Sequence, residues 1–234
     1  MHTGPKAVAK PYESSAPALR GGGGKESSSP ARSAAAEALQ GGGNESAEAK
    51  ADPVRNRILR GAARVFGERG YGGTSVEAIL AEAEVSRRTF YRTFRSKDDV
   101  LRTLFDNSVR MLVRAVRDAG DSKKSRHELA VSAVDAYIKV HADAGPLARV
   151  LLLEQFSPGS PLAAQRNRAF STFTKLIANA AAPPGQPGPD PILVSAVVAG
   201  INQVCVQMAS EYASGDWDVE RAKRAILRVL SALE

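Results

Sequence analysis

Between Thr74 and Lys97 the chain reads TSVEAILAEAEVSRRTFYRTFRSK, and three helix-start signals follow one another so closely that only short helices with tight turns fit. Thr74 opens the first, with Glu77 three residues on completing a capping-box pattern. Val76, Ile79, Leu80 and Ala83 then recur at amphipathic spacing. Ser86 caps the second, and Val85 stands where it can pack on Phe90 as a hydrophobic staple. This second helix is predicted from about Arg87 to Phe94. At about 100° per residue Phe90 and Phe94 share one side of it and can anchor it to its neighbours. Arg88 and Arg92 point the other way, Tyr91 and Arg95 lie beside them, and Arg87 sits in the exposed first turn. Val85 to Lys97 holds no acid. A solvated arginine face is the bland reading. Against it, the helix ahead of this pair, Arg55 to Gly70, mixes in Glu68 while this one excludes acids, and the cations follow directly on the tight turn. Two short helices with the second basic and exposed form a helix-turn-helix, whose reading helix fits the DNA major groove, where Arg can donate two bonds to guanine.

The flanking sequence supports that arrangement. Asp52 is a suitable N-cap and Pro53 suits the first helical position. Ile58, Ala62, Val65 and Phe66 recur on one face, and Gly70 stands where a left-handed C-terminal residue is wanted. Upstream, 31 of residues 1–51 are Gly, Ala, Ser or Pro, with six bases against five acids. Such a tail cannot build a core and is predicted to be a disordered low-complexity extension. Its glycine runs follow no strand and end in no Gly-Lys-Ser/Thr, so a phosphate loop is disfavoured. The domain boundaries are thus a tail over 1–51, a helix-turn-helix domain over 52–97 and a helical domain over 98–234. In the last, Ser96 with Asp98 and Asp99 begins a long helix that Gly120 ends, and further helices are predicted near His127–Ala142, Pro146–Gln155, Leu162–Ala182, Pro191–Ala213 and Val219–Leu233. Pro183–Asp190 must be a loop, since four prolines in eight residues cannot continue a helix. The fold class is all-α, with about nine helices and no strand.

The span ILRGAARVFGERGYGGTSVEAILAEAEVSRRTFYRTFRSKDDVL, Ile58 to Leu101, resembles the N-terminal DNA-binding domain of the tetracycline-repressor (TetR) family of bacterial transcriptional regulators. The matching positions are Ala63, Phe66, Gly70, Tyr71, Thr74, Ser75, Ile79, Ala83, Val85, Ser86, Thr89, Phe90, Tyr91, Phe94, Ser96, Lys97 and Leu101. The resemblance implies that Arg87, Arg88, Thr89 and Arg92 face bases or phosphates, that the Tyr91 hydroxyl meets a phosphate, and that Thr74 and Lys97 hold backbone phosphates at the edges. Two positions depart from the pattern. Glu84 stands where the family commonly has a turn glycine, and Thr93 replaces the familiar histidine.

For the rest of the chain the resemblance implies a ligand-binding and dimerisation domain. Ala222, Ala225, Ile226, Val229, Leu230 and Leu233 form an apolar stripe on the last helix. With Val198 and Ile201 of the preceding one, they would make the four-helix interface of a homodimer, unless both stripes are buried within one chain. A two-fold dimer reads a palindromic double-stranded DNA operator with half-sites about 34 to 36 Å apart or somewhat wider. The implied effector chamber draws on Met111, Tyr137, His141, Leu152, Phe156, Phe170, Phe173, Asn202 and Met208, which suits an apolar or amphiphilic small molecule. Release from DNA requires that the effector prefer the non-binding spacing of the two heads.

Catalysis has little footing. His2, His127 and His141 form no zinc pattern, and Cys205, the single cysteine, sits in an apolar helix without a neighbouring histidine. No catalytic residue, cofactor or metal is expected. The longest apolar run, Ile192 to Ile201, is ten residues, short of the roughly 20 that cross a bilayer, and the N-terminus lacks the apolar core of a secretory signal. The expectation is a soluble, cytoplasmic, ligand-responsive repressor. The competing reading is an all-helical small-molecule-binding or enzymatic protein whose basic helix is only surface.

Overall fold

The computed structural model describes residues 52–119, 125–182, 187–211 and 218–233. The tail over 1–51 and the helix end at Gly120 fall outside the described residues. Those residues form nine α-helices: α1 Pro53–Arg69, α2 Val76–Ala83, α3 Arg87–Thr93, α4 Lys97–Asp118, α5 Arg126–Ala144, α6 Pro146–Glu154, α7 Ala163–Ala181, α8 Pro191–Glu211 and α9 Val219–Leu230. A 3-10 turn, Ser231–Leu233, follows α9.

Most predicted caps form. The Asp52 carboxylate accepts from Val54 N–H at 2.9 Å, Ser86 from Thr89 N–H at 3.1 Å and Ser96 from Asp99 N–H at 3.2 Å. The α2 cap is different. Ser75, not Thr74, accepts from Ala78 N–H, at 3.1 Å. Thr74 is 3% exposed, and its hydroxyl donates to Gly70 O at 2.7 Å. It therefore folds back under the end of α1, where it satisfies a carbonyl that the helix leaves open.

The α2–α3 turn depends on Glu84, which sits at φ 51°, ψ 47°, the left-handed region. Val85 N–H reaches back to Leu80 O at 3.1 Å and closes the helix end. A side chain with a Cβ carries a steric cost there that glycine avoids. Glu84→Gly should therefore raise unfolding stability by about 1 kcal/mol, read as a higher denaturant midpoint, whereas Glu84→Ala should give no such gain. Close packing fixes a second position nearby. A Cβ on Gly61 would stand 2.8 Å from Ala83 N, so only glycine lets α1 and α2 meet at this distance.

Two apolar cores result. The first joins Ile58, Phe66, Ile79, Phe90, Phe94, Leu101 and Leu104 to Leu147, Val150 and Leu151 of α6. The second gathers Val134, Ile138, Leu152, Cys205, Met208, Ala222 and Ile226. Helix α6 thus contributes to both.

This packing corrects part of the interface expectation. Ala222 and Ile226 are 3% and 1% exposed inside the second core, Ile201 and Leu230 pack against that core, and Val198 is buried as well. Periodicity identified the apolar side of α9 correctly, but its cover is α5 and α8 of the same chain. Val229 also turns inward, onto Gly200 of α8; Ala225 and Leu233 are half-buried. The exposed side of α8 carries the apolar Ile192, Leu193, Ala196 and Ala199 in its first half and the polar Gln203, Gln207 and Ser210 further on. By length and composition α8 could cross a membrane. The run counted in the sequence stops at Ile201 because Asn202, Gln203 and Gln207 follow. In the fold α8 packs on α6, α7 and α9.

Candidate nucleic-acid interface

Helix α3 is held from below by its aromatics. Phe90 and Phe94 are 0% and 1% exposed, with ring centroids 6.1 Å apart. The Arg55 guanidinium covers the outer face of Phe94 at 4.6 Å. With one side pinned, the opposite side must face solvent. Arg88, Tyr91, Arg92 and Arg95 are exposed, and Tyr91 packs edge-on against Phe90 at 5.3 Å. Among the described residues neither Arg88 nor Arg92 forms an ion pair or hydrogen bond. Their donors remain open to an external acceptor.

The remaining proposed contacts are less free. Arg87 is exposed but paired with Glu77 of α2, whose carboxyl is held below its ordinary range by its own backbone N–H and by that guanidinium. Thr89 is half-buried, and its hydroxyl lies 2.9 Å from Ser86 Oγ. Thr74 is out of reach of any phosphate, for the burial given above. The Lys97 ammonium donates to Tyr71 O at 3.1 Å and to Thr74 O at 2.9 Å, and lies 4.4 Å from the centre of the Tyr71 ring. Two of its three donors thus tie α4 to the α1–α2 loop. Tyr71 donates in turn to Asp98, and burial together with that carboxylate pushes its phenol well above the usual range. Arg57 and Arg60 of α1, which sequence reasoning did not select, are exposed cations of the same domain. The signal for them was the RNRILR run of Arg55 to Arg60.

Below this head a cavity of about 1180 Å³ opens among α4, α5, α6, α7, α8 and α9. Tyr137, His141, Leu152, Phe170, Phe173 and Asn202 line it as expected. Three others do not. Met111 packs against the first core, Met208 belongs to the second, and Phe156 is 48% exposed beneath the Arg166 guanidinium. Met111 and Met208 lie on helices whose inward side is shared between core and cavity, a distinction that periodicity does not carry, and Phe156 falls in the turn after α6. His141 Nδ1 lies 3.0 Å from Tyr137 O; burial lowers the imidazole pKa and favours the neutral ring. Burial likewise pushes the Cys205 thiol up to about 12, so the inert-thiol expectation fits its surroundings.

These features define the class: an all-helical protein with a helix-turn-helix head, an open arginine face and a hollow helical body. Residues 58–104 match the family described as bacterial regulatory proteins, tetR family. The helix-turn-helix head is therefore similar to the DNA-binding domain of that family. It is 38% identical over 71 residues to the HTH-type transcriptional repressor DhaR of Mycobacterium sp. (strain GP1). That match takes in 29% of this chain and 36% of DhaR, so it spans about a third of the curated relative. Among solved structures, the fatty acid degradation regulator FadR from Bacillus halodurans superposes with a TM-score of 0.65 at 19% identity, over 78% of this chain and 96% of that one. A tetR family transcription regulator from Shewanella sp. PV-4 gives 0.59 at 21%, over 76% and 95%. At these identities the structures establish a shared fold.

Proposed function

We propose that the protein is a dimeric, sequence-specific, ligand-responsive transcriptional repressor of the cytoplasm, acting without catalysis. The observation that carries the reading is the pinned α3 helix with Arg88 and Arg92 open to solvent and, among the described residues, free of carboxylate partners. A bidentate Arg–guanine contact needs such free donors. Ligand response has a structural basis in α6, where Leu147 and Val150 belong to the head core and Ala148 and Leu152 line the cavity. An occupant that shifts α6 must disturb the head's footing. Dimerisation is supported by the exposed Leu193, Ala196 and Ala199 of α8, small and apolar side chains suited to close helix approach across a two-fold axis.

Footprinting the DNA that flanks the protein's own gene tests this reading. The expected result is a protected palindrome that resists a large excess of unrelated duplex. Protection with no sequence preference over competitor DNA would overturn it in favour of a helical binding protein with a merely basic surface.

A further inference from the structure

The cavity's charge is one-sided. Among the described residues that line it there is no aspartate or glutamate, while Arg117 and Arg166 both do. Its length follows from the helix it runs along: Phe105 and Arg117 of α4 both border it, and their separation at 1.5 Å per residue is about 18 Å. The two arginines differ in setting. Arg117 is exposed at one end. Arg166 is half-buried at the other, near Leu162 of the head core. Its Nη1 donates to Gln155 O at 2.8 Å, and its guanidinium stands 5.2 Å from the Phe156 ring centre. Its position is thereby fixed, yet among the described residues it has no carboxylate partner. Asp106, on α4, is paired with Arg168 at 3.8 Å.

A half-buried cation without a counter-charge in an apolar wall is stabilised by any anion that enters. A cationic ligand meets the reverse, since it finds like charge and no carboxylate to replace its water. The aromatic rings of Tyr137, Phe170 and Phe173 offer a cation some compensation, but less than an absent carboxylate would. We infer that the effector is an elongated amphiphile with a single anionic head, a carboxylate or similar group bound at Arg166, and an apolar body laid along α4 and α7. This rests on the cavity being the effector site proposed above.

Three tail-matched probes test it on the full-length protein by calorimetry, each below its micelle concentration: dodecanoate, dodecanol and dodecyltrimethylammonium. Dodecanoate should bind about tenfold to a hundredfold more tightly than dodecanol, the range of one charge-assisted hydrogen bond, and the ammonium should bind weakest. Arg166→Gln should abolish the carboxylate preference and leave dodecanol affinity unchanged, while Arg166→Lys should keep part of the preference. Should Arg166→Gln fail to fold, the order of the three probes on the unaltered protein decides alone. Equal binding of acid and alcohol, a preference for the ammonium, binding of none of the three, or a carboxylate preference that survives a folded Arg166→Gln overturns the inference. Parallel gel-shift titrations separate the two levels. Equal binding of acid and alcohol with DNA release would sink the anion assignment and leave the regulator standing. A selective dodecanoate site that leaves DNA binding untouched would do the opposite.

Discussion

Replacing Arg88 and Arg92 together by alanine should abolish specific operator binding and leave the fold intact. Each base-reading arginine contributes about 1 to 3 kcal/mol of discrimination. Each head of a dimer carries both, so the loss per head is about 2 to 6 kcal/mol, a drop of roughly thirtyfold or more. Both side chains are exposed and bond to nothing else among the described residues. Their removal leaves no orphaned carboxylate, and unfolding midpoints should stay near those of the parent. Arg87→Ala should cost less, because its charge is already partly balanced by Glu77. The salt dependence should become shallower by about one unit of slope for each phosphate that is no longer neutralised. A charge-matched control, Arg110→Ala with Arg149→Ala, removes two exposed cations of α4 and α6 and should leave specific binding unchanged. Equal operator affinity of parent and Arg88, Arg92 variant at fixed salt would remove the basis of the functional reading.

Much of this surface was legible in the sequence, because helical periodicity is a local property. Phe90 and Phe94 are one turn apart, so both must face the same way, and Arg88 and Arg92 must face another. The errors arose where a third element decided the outcome. Thr74 and Ser75 are both good caps, and the choice fell to Ser75 once Thr74 was drawn under the end of α1. Lys97 has a long, flexible stem, and its charge is satisfied by the Tyr71 and Thr74 carbonyls, far back in sequence and close only in the fold. Ala222 and Ile226 lie on an apolar stripe that sequence could identify, but sequence could not say that α5 covers it. The same limit divides Tyr137, which lines the cavity, from Met208, which fills a core. Arg166 was overlooked because an arginine on an ordinary amphipathic helix carries no local mark. Only the assembled walls show that it faces a space to which the described residues bring no acid.

Phe90→Ala should act through the scaffold rather than through contact with DNA. The side chain is fully buried and touches both Tyr91 and Phe94, so truncation removes the floor of α3 and leaves a hole in the first core. Buried Phe→Ala changes cost about 3 to 5 kcal/mol, a large part of the roughly 5 to 15 kcal/mol that holds a typical protein folded. That core continues into Leu101 and Leu104 of α4 and Leu147 and Leu151 of α6, so the damage should reach the body as well. A thermal midpoint lower by roughly 6 to 20 °C is expected, at about 2 to 4 °C per kcal/mol for a chain of this size. DNA binding should fall with it, but in a different manner from the arginine variant. Lowering the salt restores non-specific attraction to a folded head that has lost two side chains, whereas it cannot rebuild a reading helix that no longer has a support. Loss of binding that low salt leaves unrestored, together with reduced helicity on warming, is therefore the expected signature. A Phe90→Ala protein that melts with the parent and still binds its operator would show that α3 is held by something other than its buried aromatic face.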